Sequence, residues 1–252
     1  MSLSIMLGNF LYKYAFLAYK PLYTIYKNRQ DAFEIALLKE HVHRNDVVLD
    51  IGANIGFYAT IFALIVGGNG EVHCFEPDAK NYNYLKTASK NFNQVFINNR
   101  AVGPRTETLK FYTSHKLNVD HRTYKPDQYD EEVEVEAVSI DDYLSARPGN
   151  GPDHIDFIKI DIQGFEMQAI RGMAKTLATN ENIKLLSEFW PYGLKQAGSS
   201  PTEYFEFLSA NGFTCYLLEN NSLTTLHSER VKALEPLGEN HFFNILASRK
   251  HV

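Results

Sequence analysis

Apolar and polar positions change period repeatedly along the chain, and each change marks an element. Residues 47–51 (Val-Val-Leu-Asp-Ile), 71–75, 95–98, 155–160 and 183–189 are short, mostly apolar runs. Such runs suit strands of a parallel sheet covered on both faces. Helical spacing fills the segments between them. One predicted helix covers 56–66 and stops at Gly67-Gly68-Asn69-Gly70; another runs from Pro77-Asp78 to about 91. Further helices are expected over 166–177 and over 201–211, the latter followed by Gly212. Strands alternating with crossover helices predict a Rossmann-like, doubly wound α/β fold. Two later runs, 213–218 and 242–247, predict an antiparallel closing pair, so the expected sheet is seven-stranded and mostly parallel.

One region breaks this alternation. Residues 108–113 and 132–138 alternate at period two, with a polar stretch, 114–130, between them. The pattern predicts a β-hairpin insertion whose long loop has a task, here a lid over the acceptor. A short helix follows at 139–144. At the other end, 31–43 has helical spacing with Asp31 as a cap. Residues 4–26 are rich in Leu, Ile, Phe and Tyr, but Lys13, Lys20 and Pro21 interrupt them. No run approaches the ~18 apolar residues of a membrane span. A small-residue cleavage site after a compact apolar core is missing too, so no signal peptide is expected. Residues 1–44 are therefore read as a helical segment packed outside one domain, 45–252. Their tyrosines and lysines would also suit an interfacial helix or a cap over the site.

The chemistry gathers at the carboxyl ends of the predicted strands. Asp50-Ile51-Gly52-Ala53-Asn54-Ile55-Gly56 reads as a strand end, a glycine turn and a helix start, and Glu76 ends the next strand. This is how a doubly wound sheet holds a nucleoside, with backbone against the ligand and a carboxylate on the ribose. A pyrophosphate site needs G-x-G-x-x-G, but Asn54 occupies the second glycine's place and Asp50 precedes the turn. Carboxylates repel a pyrophosphate and suit a cation, so S-adenosylmethionine, with its sulfonium and ammonium, is the better match. Asp161 and Glu188 also end predicted strands, giving four acids over one crevice.

Composition narrows the rest. The 252 residues are 44% hydrophobic and 22% charged, with a net charge of -5; an acidic chain gives no support to a nucleic-acid partner. Cys74 and Cys215 fall in predicted strands and read as buried thiols rather than a disulfide, which fits a cytoplasmic setting. His41 and His43 are read as surface residues, and no metal site is expected.

In order along the chain, Asp50-Ile51-Gly52-Ala53-Asn54-Ile55-Gly56, Phe75-Glu76-Pro77, Asn99-Arg100-Ala101-Val102-Gly103, Ser139-Ile140-Asp141 and Lys159-Ile160-Asp161-Ile162-Gln163-Gly164-Phe165-Glu166 resemble the FkbM family. That family comprises S-adenosylmethionine-dependent methyltransferases, many of them O-methyltransferases acting on sugars and natural products. The resemblance covers about 45–248 and implies roles. Gly52 and Gly56 would admit the methionine part, with Ala53 and Phe57 in the same loop and helix start. Asp50 and Asn54 would contact its polar end or hold the loop. Glu76, followed by Pro77, would bind both ribose hydroxyls, and Ala101 and Val102 would flank the adenine. Asp161 would lie near the transferred methyl and is the first candidate for proton acceptor; His121 is the second, and Lys159 would pair with Asp161 or Glu166, either as a structural pair or in a catalytic role. Gln163 stands where the family often has Glu, and Trp190 where a smaller or polar residue is common; both touch the acceptor side. The expected reaction is methylation of a hydroxyl on a sugar or small-molecule acceptor. The competing readings are a nicotinamide-dependent oxidoreductase and a non-catalytic binding protein that kept the fold.

Overall fold

The computed structural model describes residues 3–114, 121–147 and 154–250. Three helices lead the chain: α1 (Leu3–Tyr14), α2 (Phe16–Gln30) and α3 (Ala32–His41). The alternating unit follows as β1 (Val47–Ile51), α4 (Phe57–Val66), β2 (Glu71–Phe75), α5 (Ala79–Ser89) and β3 (Val95–Asn98). Then come β4 (Ala101–Val102), β5 (Glu107–Thr113), β6 (Glu131–Val138) and α6 (Ile140–Ser145). The second half holds β7 (Phe157–Ile160), α7 (Glu166–Arg171), α8 (Ala174–Thr179), β8 (Lys184–Phe189), α9 (Pro191–Gln196) and α10 (Pro201–Ala210). It closes with β9 (Thr214–Glu219), β10 (Ser222–Thr225), α11 (Ser228–Leu234) and β11 (Phe243–Ser248).

The main sheet has the order β10-β9-β11-β8-β7-β1-β2-β3. The run from β8 to β3 is parallel, and β11 lies antiparallel to both β8 and β9. The chain leaves β1 in one direction and returns at β7 on its other side. That reversal opens a crevice at the strand ends. Helices cover both faces. Leu49, Ile51, Ile158 and Ile160 pack toward the α7, α8 and α10 side. Val48, Val72, Cys74 and Phe157 pack toward α3, α4 and α5. Both cysteines are free and buried.

The described sheet has one strand more than the sequence pattern predicts. The addition is β10, joined to β9 by Asn220 and Asn221 at φ of 51° and 55°. Two consecutive left-handed residues make the type I′ turn that a tight hairpin requires, and asparagine tolerates them. The helix expected over 166–177 is broken into α7 and α8 at Gly172. A Cβ on Gly172 would lie 2.0 Å from the carbonyl oxygen of Gly103, so the incoming chain before β5 occupies that space. The predicted hairpin insertion is present as β5 and β6, antiparallel, with β4 added parallel to β6.

Helix α3 contributes Ile35 and Leu38 to the core, and Val42, just past its end, joins them. The pair α1–α2 lies on α4 and α5. The buried Tyr12 hydroxyl donates to Asn81 Oδ1 (2.5 Å), and Phe16 stacks on Tyr84 with ring centres 3.4 Å apart.

Candidate active site

A cavity of about 540 Å³ opens at the strand ends of β1, β2 and β7, within the size range of small-molecule sites. Its floor is the loop after β1. Gly52, Asn54 and Gly56 all have left-handed φ (85°, 49° and 86°). The amides of Gly52 and Ala53 both donate to the Phe75 carbonyl at 3.0 Å, and Gly56 caps α4. The two glycines answer to the protein rather than to open ligand space. A Cβ on Gly52 would stand 2.0 Å from the Asp161 carbonyl oxygen; one on Gly56 would stand 3.0 Å from Ala88 and Leu85 of α5. Gly56 does not line the cavity, whereas Gly52, Ala53, Asn54 and Phe57 do.

Glu76 forms one wall. Its Oε2 accepts the Asn54 amide (2.8 Å) and its Oε1 the Asp78 amide (2.9 Å). Each oxygen keeps a lone pair for a ligand hydroxyl. Burial pushes this carboxyl up to about 8 despite those two amides. Pro77, Ala101 and Val102 continue the wall, and Asn99 donates to the Glu76 carbonyl at 2.8 Å, fixing the strand end.

Asp50 lies beneath the loop instead of on the cavity. It is fully buried, and neither carboxylate oxygen has a hydrogen-bond partner among the described residues. Burial raises it to about 6, with Lys159 opposing. Lys159 sits beside Asp50 in the sheet register, bonds Asp161 Oδ2 at 3.2 Å and stands 4.4 Å from the Tyr58 ring centre. Its pairing partner is thus Asp161; the Glu166 carboxylate instead accepts the Ile162 and Gly164 amides. Burial would raise Asp161, but Lys159, Lys27 and the Gln163 amide outweigh it and hold the carboxyl below its ordinary value. Gln163 Nε2 lies 3.3 Å from both Asp161 Oδ1 and Glu188 Oε2. One neutral amide thereby spans two carboxylates that would otherwise repel each other.

The far wall comes from the described part of the insertion loop and from the β8 end. His121, Arg122 and Thr123 reach the cavity; Tyr124 does not line it. His121 Nδ1 accepts the Ser114 amide (3.1 Å), which leaves the proton of the neutral ring on Nε2. The Arg122 guanidinium stacks 4.9 Å from the Trp190 ring centre and pairs with Glu239 at 3.3 Å. Trp190 in turn donates from its indole to the Glu239 carbonyl (2.9 Å).

Sequence reasoning placed α2 outside the domain; the structure makes it a cavity wall as well. Tyr23, Tyr26, Lys27 and Gln30 line the space at i, i+3, i+4 and i+7, a helical spacing visible in the sequence. Lys27 is paired with Asp31, and the Tyr58 hydroxyl is 2.6 Å from Asp31 and 2.9 Å from Glu34. Among the described residues no three His, Cys, Asp or Glu side chains converge as a metal set.

Ligand-free stability should fall steadily from about pH 5 to pH 8. Glu76 and Glu166 are raised to about 8 and about 7, chiefly by burial, so each binds its proton more tightly folded than unfolded. Their stabilisation is complete below their ordinary value of 4.5 and is lost progressively as pH rises from there to the raised values. His73, lowered to about 3 by burial and Arg147, acts oppositely and offsets only part of that slope below about pH 6.5. Thermal midpoints across pH 5 to 9 read this, and Glu76→Gln should flatten the upper limb. A midpoint that rises from pH 6.5 to 8 would contradict the assignment.

The profile of the methyltransferase FkbM domain matches residues 50–215. The chain belongs to that family. A sequence search of curated proteins returns no match. Among solved structures, a candidate rRNA methylase from Clostridium thermocellum is similar at 12% identity and a TM-score of 0.50, covering 85% of this chain and 94% of that one. Fibrillarin from Aeropyrum pernix, with natively bound S-adenosyl-L-methionine, matches at 12% identity and 0.50 over 86% of this chain and 74% of its own. A candidate methyltransferase from Streptococcus mutans in complex with SAH matches at 10% and 0.50 over 87% and 96%. At such identities these likenesses carry the fold, and family membership carries the activity class. The protein is an S-adenosylmethionine-dependent methyltransferase with a Rossmann-like fold; the nicotinamide reading finds no support. Its residues fit that cofactor: Glu76 keeps acceptors for a diol, and the orphaned Asp50 carboxylate lies under the loop where a cationic ligand would sit.

Proposed function

We propose that the protein methylates a hydroxyl of a sugar or small-molecule acceptor. The observation that carries this reading is the polarity of the two cavity ends. One end pairs Glu76 with the small apolar Ala101 and Val102; the other holds Asp161, Gln163 and Glu188, with the exposed ring of Tyr26 lining the same cavity. Carboxylates beside aromatic rings suit a polyhydroxylated ligand, whose hydroxyls need acceptors and whose C–H face needs an apolar platform.

When bound, S-adenosylmethionine supplies an electrophilic methyl on sulfur. The chain's own work is to hold the acceptor in line and to take its proton. Asp161, kept ionised by Lys159, would accept the acceptor's O–H and take its proton as the C–O bond forms and the methyl–sulfur bond breaks to leave a neutral thioether. Gln163 fixes the rotation of that carboxylate. Lys159, which also lines the cavity, holds that carboxylate ionised through its 3.2 Å bond. His121, with its proton on Nε2, serves as a donor to the acceptor rather than as the base. Residues 1–44 and 45–252 act as one unit here, since α2 closes the acceptor end.

The test combines calorimetry with a turnover screen. Carbon-13-labelled methyl should appear as a methoxy resonance on a hydroxylated acceptor. Asp161→Asn should lower kcat by about 10²- to 10⁴-fold while cofactor affinity stays within a few-fold. His121→Ala and Arg122→Ala should leave cofactor affinity intact, and at least one should lose more than roughly tenfold in rate. Label on nitrogen would overturn the O-methylation reading. Unchanged rates in both loop variants would remove the acceptor from this loop.

A further inference from the structure

Helix α2 is apolar on both faces, and only one of them has a partner. Phe16, Tyr19 and Tyr23 face the domain, against Tyr84, Tyr12 and Phe57. On the opposite side Leu17, Leu22 and Ile25 are 92%, 57% and 54% exposed, with Ala18 and Pro21 exposed between them. These positions form one stripe at helical spacing. The stripe continues onto α1 through Phe10 and Tyr14, 58% and 67% exposed, with ring centres 5.2 Å apart. A contiguous exposed apolar face of this kind marks an interaction surface.

Charge identifies the occupant. Residues 1–30 include Lys13, Lys20, Lys27 and Arg29 and contain no Asp or Glu. The whole chain has 25 basic and 30 acidic side chains, so everything beyond residue 30 is net -9. Lys27 is engaged with Asp31. Lys13, Lys20 and Arg29 remain on the helix pair, and Lys80 of α5 joins them, 4.0 Å above the Tyr12 ring. A second copy docked by two-fold symmetry would bring these cations against themselves with no acid of the helix pair to neutralise them. An anionic lipid surface takes up Arg29, which lines the exposed groove with Leu22 and Ile25, and Lys13, beside the exposed Tyr14, and it repels the acidic body, which sets the orientation.

We infer that α1 and α2 form a docking surface for an anionic lipid bilayer. The helices lie on the membrane, since no described helix is long and apolar enough to cross one. Tyr26 and Gln30 border both the exposed groove of Leu22, Ile25 and Arg29 and the cavity of the active site. The docked protein therefore opens its acceptor end beside the lipid.

Vesicle flotation tests this without reference to the acceptor. At low salt the protein should float with phosphatidylcholine vesicles containing phosphatidylglycerol and remain largely below those of phosphatidylcholine alone. Leu17→Asp/Leu22→Asp/Ile25→Asp should reduce flotation at least tenfold while the thermal midpoint and cofactor titration stay unchanged. If that variant folds poorly, Lys13→Gln/Arg29→Gln decides instead, by losing the preference for phosphatidylglycerol. Failure of the unaltered protein to float with either vesicle overturns the inference. So does a dimer, seen by light scattering without flotation, that the triple aspartate variant dissociates; the face would then belong to a second copy. Cofactor affinity, titrated on the same samples, shows separately whether the methyltransferase reading stands.

Discussion

Gly52→Ala should cost the protein stability and cofactor binding together. The new Cβ would stand 2.0 Å from the Asp161 carbonyl oxygen and 2.9 Å from its carbon, on a backbone with φ of 85°. Neither contact is with a flexible side chain that could swing away. The left-handed conformation and the backbone overlap should together cost about 3–5 kcal/mol. For a chain of this size that is roughly 10 °C or more in thermal midpoint. Binding falls as well, because the loop and the Asp161 strand end must move apart, and both border the cavity. Gly56→Ala supplies the contrast. Its Cβ would meet side chains at 3.0 Å, which can yield, so the loss should be smaller. Calorimetric scans with and without S-adenosylmethionine measure both effects. If Gly52→Ala melts within about 2 °C of the unaltered protein, the close approach of the two backbones is refuted.

Removing the Glu76 carboxylate should have the largest effect on affinity. Loss of two charge-assisted bonds to the ribose costs about 2–3 kcal/mol, or roughly 30- to 150-fold in Kd. The carboxylate also anchors the Asn54 and Asp78 amides, so Glu76→Ala should loosen the floor of the site in addition. Glu76→Gln keeps one acceptor and separates the two effects. With the ligand-free carboxyl raised to about 8, binding at neutral pH requires a proton to leave. Affinity should therefore rise with pH up to about 8 and then level off, a slope that Glu76→Gln removes. A Kd within threefold of the original for Glu76→Ala would end the ribose assignment.

Much of this was legible because it is local. Apolar runs ending in Asp50, Glu76, Asp161 and Glu188 predict strands whose ends meet at one crevice, and three of the four acids line the cavity. Period-two alternation on either side of a polar stretch was enough to place β5 and β6. The departures involve chain segments far apart in sequence. No local signal says that the Asp161 carbonyl will pass beside Gly52, or that the Gly103 carbonyl will divide a helix at Gly172. The same holds for Asp50, whose burial beneath the loop depends on the helices stacked over it. The Trp190–Arg122–Glu239 cluster joins three segments that share no motif. The β10 hairpin differs, since Asn220-Asn221 is a readable turn signal that the short, polar strand after it obscured.

The position of β11 bears on how the chain is made. This strand, the last of the described strands in chain order, lies between β8 and β9 and bonds to both, from Phe243 opposite Phe189 to Ser248 opposite Thr214. During synthesis β9 and β10 emerge first, with no place to dock beside β8. Until Ser248 has left the ribosome, the β8 edge and the β9 edge are both open, and each is an invitation to the wrong strand. The parallel half can form early around β1, yet the sheet is finished only by a strand translated after β8, β9 and β10.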